Sequence, residues 1–384
     1  MYKKLLSFSL VLVVLFTTFS TSVLHAQSTE DIINSIPIVE FQLKPETKSS
    51  LNLSEYDDAK VILVTKETAY SAKRDTLVSL VRADNTVFFK DMLPEEVKEI
   101  TGLDFLVEDY DNELNVEQDE INLGTSLTMV DDVYQCIHST IVSAQECAEP
   151  CEECGAVGDS NAYELIVEAS DYDYAARSAY ANAKIFELSE PKGFPPLADY
   201  IYARSITVKY GLLTLGQVGY TLNIYRRGKA TINDVQRKVY DCIASVYSSP
   251  KSIYRVTYEQ CSLGVINSSK HAFLDQSQIK SQGISATVNC SLSNGVDGVS
   301  WKFDLSSFFA TNNFSSSKEK MWKIVPVFPG NGDSWGFQPG VRCYAVSSSS
   351  STGKIIINVT GLFSNCSMLV HHLGKITGIF GFSI

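Results

Sequence analysis

The sequence predicts an α+β protein of several domains: a mixed N-terminal region, a mainly helical middle and a C-terminal antiparallel β-sandwich-like domain. Three observations predict it. The chain has 384 residues, more than one ordinary core organises. Apolar residues recur at helical spacing through much of 131–260, and after residue 284 short β-rich runs alternate with turn clusters. A composition of 45% apolar and 20% charged residues excludes a disordered chain, a collagen-like repeat and a polytopic membrane protein. A net charge of −12 argues against sequence-independent nucleic-acid binding, which needs a basic face.

Residues 1–26 have the layout of a secretory signal peptide. Lys3 and Lys4 form the positive end, an uncharged apolar run follows, and Leu24-His25-Ala26 makes a small-residue exit before Gln27. The strongly apolar part, residues 10–16, is short for a membrane anchor of ~20 residues. The expectation is a secreted or periplasmic protein, associated with the cell surface in one reading, with no transmembrane span after signal cleavage. The uncharged run 210–225 is too short and too polar to cross a membrane and reads as a buried element.

Region 27–130 is acidic and mixed α/β. Residues 36–43 and 60–65 have β-type composition. Residues 76–82 and 86–90 flank Ala83-Asp84-Asn85, a turn sequence that predicts a β-hairpin. Pro94-Glu95-Glu96 opens a helix that Gly102 closes. Charge divides the mature chain: 31 acidic and 9 basic residues lie in 27–170, against 13 acidic and 21 basic in 171–384. The acidic part either solubilises its domain or docks against a basic surface.

Region 131–260 is Tyr-rich, holds several Cys and reads as mainly helical. Residues 131–146 and 162–188 carry apolar residues at helical spacing. Thr231 with Asp234 resembles a capping box, followed by Val235, Val239, Cys242, Ile243 and Val246 on one helical face. Residues 206–225 suit either a helix or a strand, with helix preferred. Region 284–384 holds seven β-type runs at 284–292, 299–305, 322–328, 341–346, 354–359, 368–372 and 376–382. Their spacing predicts the sandwich.

Nine Cys in an exported chain make Cys136, Cys147, Cys151, Cys154, Cys242, Cys261, Cys290, Cys343 and Cys366 disulfide candidates. The run Cys147-x3-Cys151-x2-Cys154 superficially resembles the iron–sulfur motif of radical-SAM enzymes, which an oxidising compartment disfavours. A zinc site with Cys136 as fourth ligand is the rival to disulfides there.

No catalytic set emerges. Gly332-Asp333-Ser334-Trp335-Gly336 matches G-x-S-x-G, but Pro339-Gly340 and another β-run follow where an elbow needs a helix. No acid exists beyond Asp333, and a triad of His271, Asp304 and Ser334 would be squeezed into 64 residues. Asp109, Asp111, Glu113, Asn115 and Glu120 have calcium-loop spacing, but Leu114 occupies the turn position that requires Gly. The expectation is no cofactor, with calcium at this loop left open. His371 and His372, adjacent in a strand, would face opposite ways and chelate poorly. Trp301, Trp322 and Trp335 all lie in the β-region, and Trp335, between turn residues, is expected to be exposed for contact with a protein or glycan partner.

The resulting expectation is an exported non-catalytic binding or structural protein. The alternatives are a carboxylate-based, glycosidase-like hydrolase without a recognisable motif and a calcium-dependent adhesion or assembly protein.

Overall fold

A computed structural model describes residues 33–43, 56, 58–82, 84–105, 107, 120–130, 133–147, 165–185, 198–251, 253–265, 270–279, 283–326, 334–346, 352–365 and 371–383. Two β-sheets, of 11 and 7 strands, account for most of these residues.

The larger sheet begins with β1 (Ile38–Glu40), β2 (Val61–Val64) and β3 (Thr86–Lys90), which are parallel. β4 (Glu120–Val130) and β5 (Val133–Ser143) extend it antiparallel. All four residues of β2 are buried: Ile62 and Val64 against the cluster holding Leu77 and Val97, Val61 and Leu63 against the one holding Tyr174 and Ala175. Burial on both faces explains why Val61-Ile62-Leu63-Val64 is an unbroken apolar run. The helices Lys66–Ser71, Arg74–Leu80 and Pro94–Thr101 supply the first cluster and the helix Ala169–Ile185 the second.

The helix Pro94–Thr101 has the ends its sequence announces. The Glu96 carboxylate accepts a hydrogen bond from the Leu93 amide at 2.9 Å, and Gly102 closes the helix with φ of 65°. The hairpin expected at 76–90 is not formed. Residues 74–80 are helical, because the parallel strands β2 and β3 require a crossover. Asn85 seals its end, accepting from the Arg82 amide and donating to the Leu80 carbonyl.

The mainly helical middle is corrected. The described part of 131–260 is β5, β6 (Gln145–Cys147), the helix Ala169–Ile185, β7 (Tyr200–Tyr210), β8 (Leu213–Ile232), β9 (Val235–Pro250) and β10 (Tyr254–Val265). Of the expected helices only the one within 162–188 exists. The supposed capping box is a hairpin turn. Ile232 pairs with Val235, while Asn233 and Asp234 take φ of 51° and 62°, the two left-handed residues of a type I′ turn. Val239, Cys242, Ile243 and Val246 mimic a helical face because all of 239–250 is buried, so polar alternation is lost.

The larger sheet continues through β7, β8, β9, β16 (Gly340–Ala345) and β11 (His271–Gln276), with β15 (Trp335–Phe337) also on β9. The smaller sheet is antiparallel throughout. Its order is β12 (Gly283–Leu292), β13 (Val299–Ser315), β14 (Glu319–Pro326), β10, β17 (Thr352–Asn365), β18 (His371–Ser383), β6. The C-terminal β-runs are strands where they are described, 327–328 and 368–370 lying outside the described residues, but the runs 368–372 and 376–382 meet in the single strand β18 and the set does not close on itself. β15 and β16 join the larger sheet, and β10 occupies the middle of the smaller one.

The two sheets pack through one large core that includes Val218, Tyr220, Val246, Cys261, Trp322, Phe363 and Phe380. Glycines on β17 and β18 permit close approach. A Cβ on Gly361 would lie 2.7 Å from both Ser248 Oγ and Val218 Cγ2. Arg204 of β7 crosses the gap, donating to the Thr377 carbonyl of β18 at 2.7 Å and pairing with Glu120.

Candidate functional site

The interior holds an unusual set of polar groups, and their partners show what each does. Arg342 has no exposed surface. It grips Asp241 and donates to the carbonyls of Asn294, Val296 and Asp297 at 3.0–3.3 Å. Asp275 accepts from the Ser293 and Asn294 amides of the same turn. The turn between β12 and β13 is therefore pinned by its carbonyls to a cation and by its amides to an anion. Lys209, also fully buried, donates to Asp171 and to the Ile166 carbonyl, both at 2.8 Å. Asp171 in turn accepts from the Glu168 amide and fastens the start of the helix Ala169–Ile185 to the sheet.

The third buried carboxylate, Glu259 of β10, accepts from Ser248 Oγ of β9 at 2.8 Å, and burial pushes it up to about 8. Asp171, Asp241 and Glu259 thus occupy three separate parts of the fold, each held by its own partner. A hydrolase needs two carboxyls converging on one bond, and these three do not converge.

The thiols are equally committed. Cys136, Cys242, Cys261, Cys290 and Cys343 are buried and free, which corrects the disulfide expectation for these five. Register explains it: Cys261 faces Trp322, Cys290 faces Trp301, and Cys343 faces Tyr240 rather than Cys242, which pairs with Val341. Cys242 and Cys343 are diagonal neighbours, a spacing of roughly 7–8 Å between Cα atoms, longer than a disulfide spans. Burial raises every one of these thiols, so none is a ready thiolate. Cys151, Cys154 and Cys366 lie outside the described residues, as does the side chain of Cys147.

Ser334 donates to Ser249 Oγ at 2.8 Å, and β15 begins at the next residue. His271 is elsewhere, between Tyr240 Oη at 3.2 Å and the Thr352 carbonyl at 2.8 Å. The side chain of Asp304 is outside the described set. No helix follows Ser334, so it is not a nucleophile elbow.

The tryptophans do not form a contact surface. Trp322 and Trp301 are buried and donate their indole N–H groups to the Ser277 and Gln338 carbonyls at 2.9 Å. Trp335, expected to be exposed, retains 8% of its surface, because β15 lays it across from Ser248 in the core. Of the calcium candidates, Asp109, Asp111, Glu113 and Asn115 lie outside the described residues, and Glu120 is engaged by Arg204.

The exposed surface holds the feature that the sequence reading missed. Among the described residues the five most exposed large apolar ones are Leu212 (62%), Ile253 (58%), Tyr70 (55%), Leu213 (54%) and Ile166 (48%), and all but Tyr70 gather at one end of the larger sheet. Leu212 and Leu213 cap the hairpin of β7 and β8, where Gly211 at φ of 60° makes the turn. The Lys251 amide donates to the Leu215 carbonyl, which sets Ile253 at the same end. The Lys209 bond to the Ile166 carbonyl brings in the fourth. The signal in the sequence was Gly-Leu-Leu at 211–213, apolar residues placed at a turn where polar ones are usual.

No protein-family model matches this chain, and no curated protein sequence matches it. Among solved structures it is similar to a "Pore forming protein", at 10% identity and a TM-score of 0.28 over 51% of this chain and 95% of that one. It is also similar to Clostridium perfringens delta-toxin, at 9% identity and a TM-score of 0.29 over 48% and 89% of the two chains. Likenesses this slight carry no argument. No described helix is long and apolar enough to cross a membrane.

Proposed function

We propose that this is an exported, non-catalytic binding protein of the periplasm or cell surface, and that it holds a protein partner through the apolar end formed by Ile166, Leu212, Leu213 and Ile253. One observation carries the reading: these four side chains are displayed together while the chain buries far more polar groups than this in its interior. Large apolar side chains grouped at an exposed end mark contact sites more often than they serve stability. The buried charges support it from the other side, since each is spent on fastening one element to another.

The test is co-sedimentation of the mature chain with envelope preparations from producing cells, before and after protease treatment, and with protein-free liposomes. Binding that is lost on protease treatment, and lost in the variant Leu212→Asn/Leu213→Asn/Ile253→Asn, supports the proposal. Undiminished binding to protein-free liposomes would assign the end to lipid instead. Turnover of glycoside or ester substrates that survives in this variant would restore the hydrolase alternative.

A further inference from the structure

Glu259 lies at one of the places where the two sheets approach closely. It sits in β10 directly opposite Gly361 of β17, and a Cβ on that glycine would strike Ser248 Oγ of the facing sheet. The Ser248 hydroxyl donates to Glu259 Oε1 across the gap. Glu259 Oε2 is buried with no partner among the described residues, and so is the indole N–H of Trp335, which pairs with Ser248 across β15 and β9.

Among the described residues no charge of opposite sign faces this carboxyl. Its cross-strand neighbours are Ile324 of β14 and Gly361 of β17; β9 and β8 present Ser248 and Val218, β15 presents Trp335, and its own strand presents Cys261. The nearest cation in register, Lys323 of β14, lies opposite Gln260 and rests over the Tyr258 ring on the other side of the strand. A buried carboxylate with one hydroxyl donor and no cation is strongly disfavoured, whereas the neutral acid is tolerated.

We propose that Glu259 is a proton-held latch between the two sheets: neutral, it closes the interface over Gly361; ionised, it drives the sheets apart locally until water reaches it. The ordinary value of the group is 4.5 and the folded protein holds it up at about 8. The opened state therefore releases a proton that the closed state keeps, and opening is favoured as pH rises from about 4.5 to about 8, then levels. The latch tightens in mild acid and loosens toward alkaline pH.

Amide hydrogen exchange of β9, β10 and β17, corrected for intrinsic base catalysis, reads the opening directly. Between pH 5 and pH 8 the opening constant should rise at least tenfold in the wild-type chain and stay within threefold in Glu259→Gln, which mimics the neutral acid. An equal pH slope in the two chains, or none in the wild type, overturns the latch. Infrared spectroscopy of the wild-type chain gives a second reading that no substitution can spoil by misfolding. A protonated-carboxyl band at pH 6.5 that disappears by pH 9 is expected, shifted in Ser248→Ala. The absence of that band at pH 6.5 would equally overturn it.

Discussion

Arg342 and Asp241, opposite one another on β16 and β9, form a two-pronged ion pair with Nε–Oδ1 at 2.7 Å and Nη2–Oδ2 at 2.9 Å, neither side chain being exposed. The remaining guanidinium hydrogens go to the carbonyls of the β12–β13 turn. Arg342→Leu strands the Asp241 carboxyl with Arg227 at 3.4 Å as its remaining cation. The expected loss is about 3–5 kcal/mol, the usual result of breaking a buried pair. Urea unfolding measures it, and Arg342→Lys should fall between, keeping the charge but not the fork.

Gly124 should tolerate no side chain. It sits at φ of 143° beside the bulge in β4, and a Cβ there would lie 2.2 Å from the Phe89 carbonyl oxygen of β3. Relief requires backbone to move, which flexible side chains cannot do on its behalf. Gly124→Ala is expected to cost about 1–3 kcal/mol, read as a lower denaturant midpoint with the slope unchanged.

The five buried thiols give a chemical test of the core. In the native protein Cys136, Cys242, Cys261, Cys290 and Cys343 should resist iodoacetamide, and in denaturant without reductant all five should label completely. Peptide mass spectrometry distinguishes the outcomes. Labelling that needs a reductant would restore the disulfide expectation.

Acid should weaken the fold through His138. The imidazole is buried on β5, with Asn122 Oδ1 at 3.1 Å, and burial together with the Arg204 charge lowers it to about 3. Unfolded, it takes a proton near its ordinary 6.5; folded, it refuses one until about pH 3. Stability is therefore lost as pH falls through that window. His138→Gln should flatten the decline between pH 6.5 and pH 4, as followed by denaturant titration.

The sequence disclosed those elements whose local chemistry was decisive. Pro94 and Gly102 bound their helix as read, and the alternating or β-branched runs after 284 mark strands. What misled was burial on both faces. In β9 every residue from Val239 to Pro250 is buried, so no polar alternation survives, and spacings of three and four arise in any apolar-rich strand. Asn233-Asp234 was itself a hairpin signal, outweighed by a Thr that only resembled a helix cap. The exposed apolar end stayed hidden because Ile166, Leu212, Leu213 and Ile253 meet only once the hairpin of β7 and β8 and the turn after β9 lie side by side.

β10 has as neighbours β14 and β17, which arrive some sixty to a hundred residues later, and β9 waits equally long for β15 and β16. During synthesis the chain must carry β10 with both hydrogen-bonding edges open until β14 ends at Pro326, and with one still open until β17 ends at Asn365. Such a topology folds slowly and offers sticky strand edges to its neighbours in the meantime. The N-terminal strands β1–β5, joined in sequence order with their helices close by, suffer no such delay. The smaller sheet is therefore expected to close late, only once β17 and β18 at 352–383 are present.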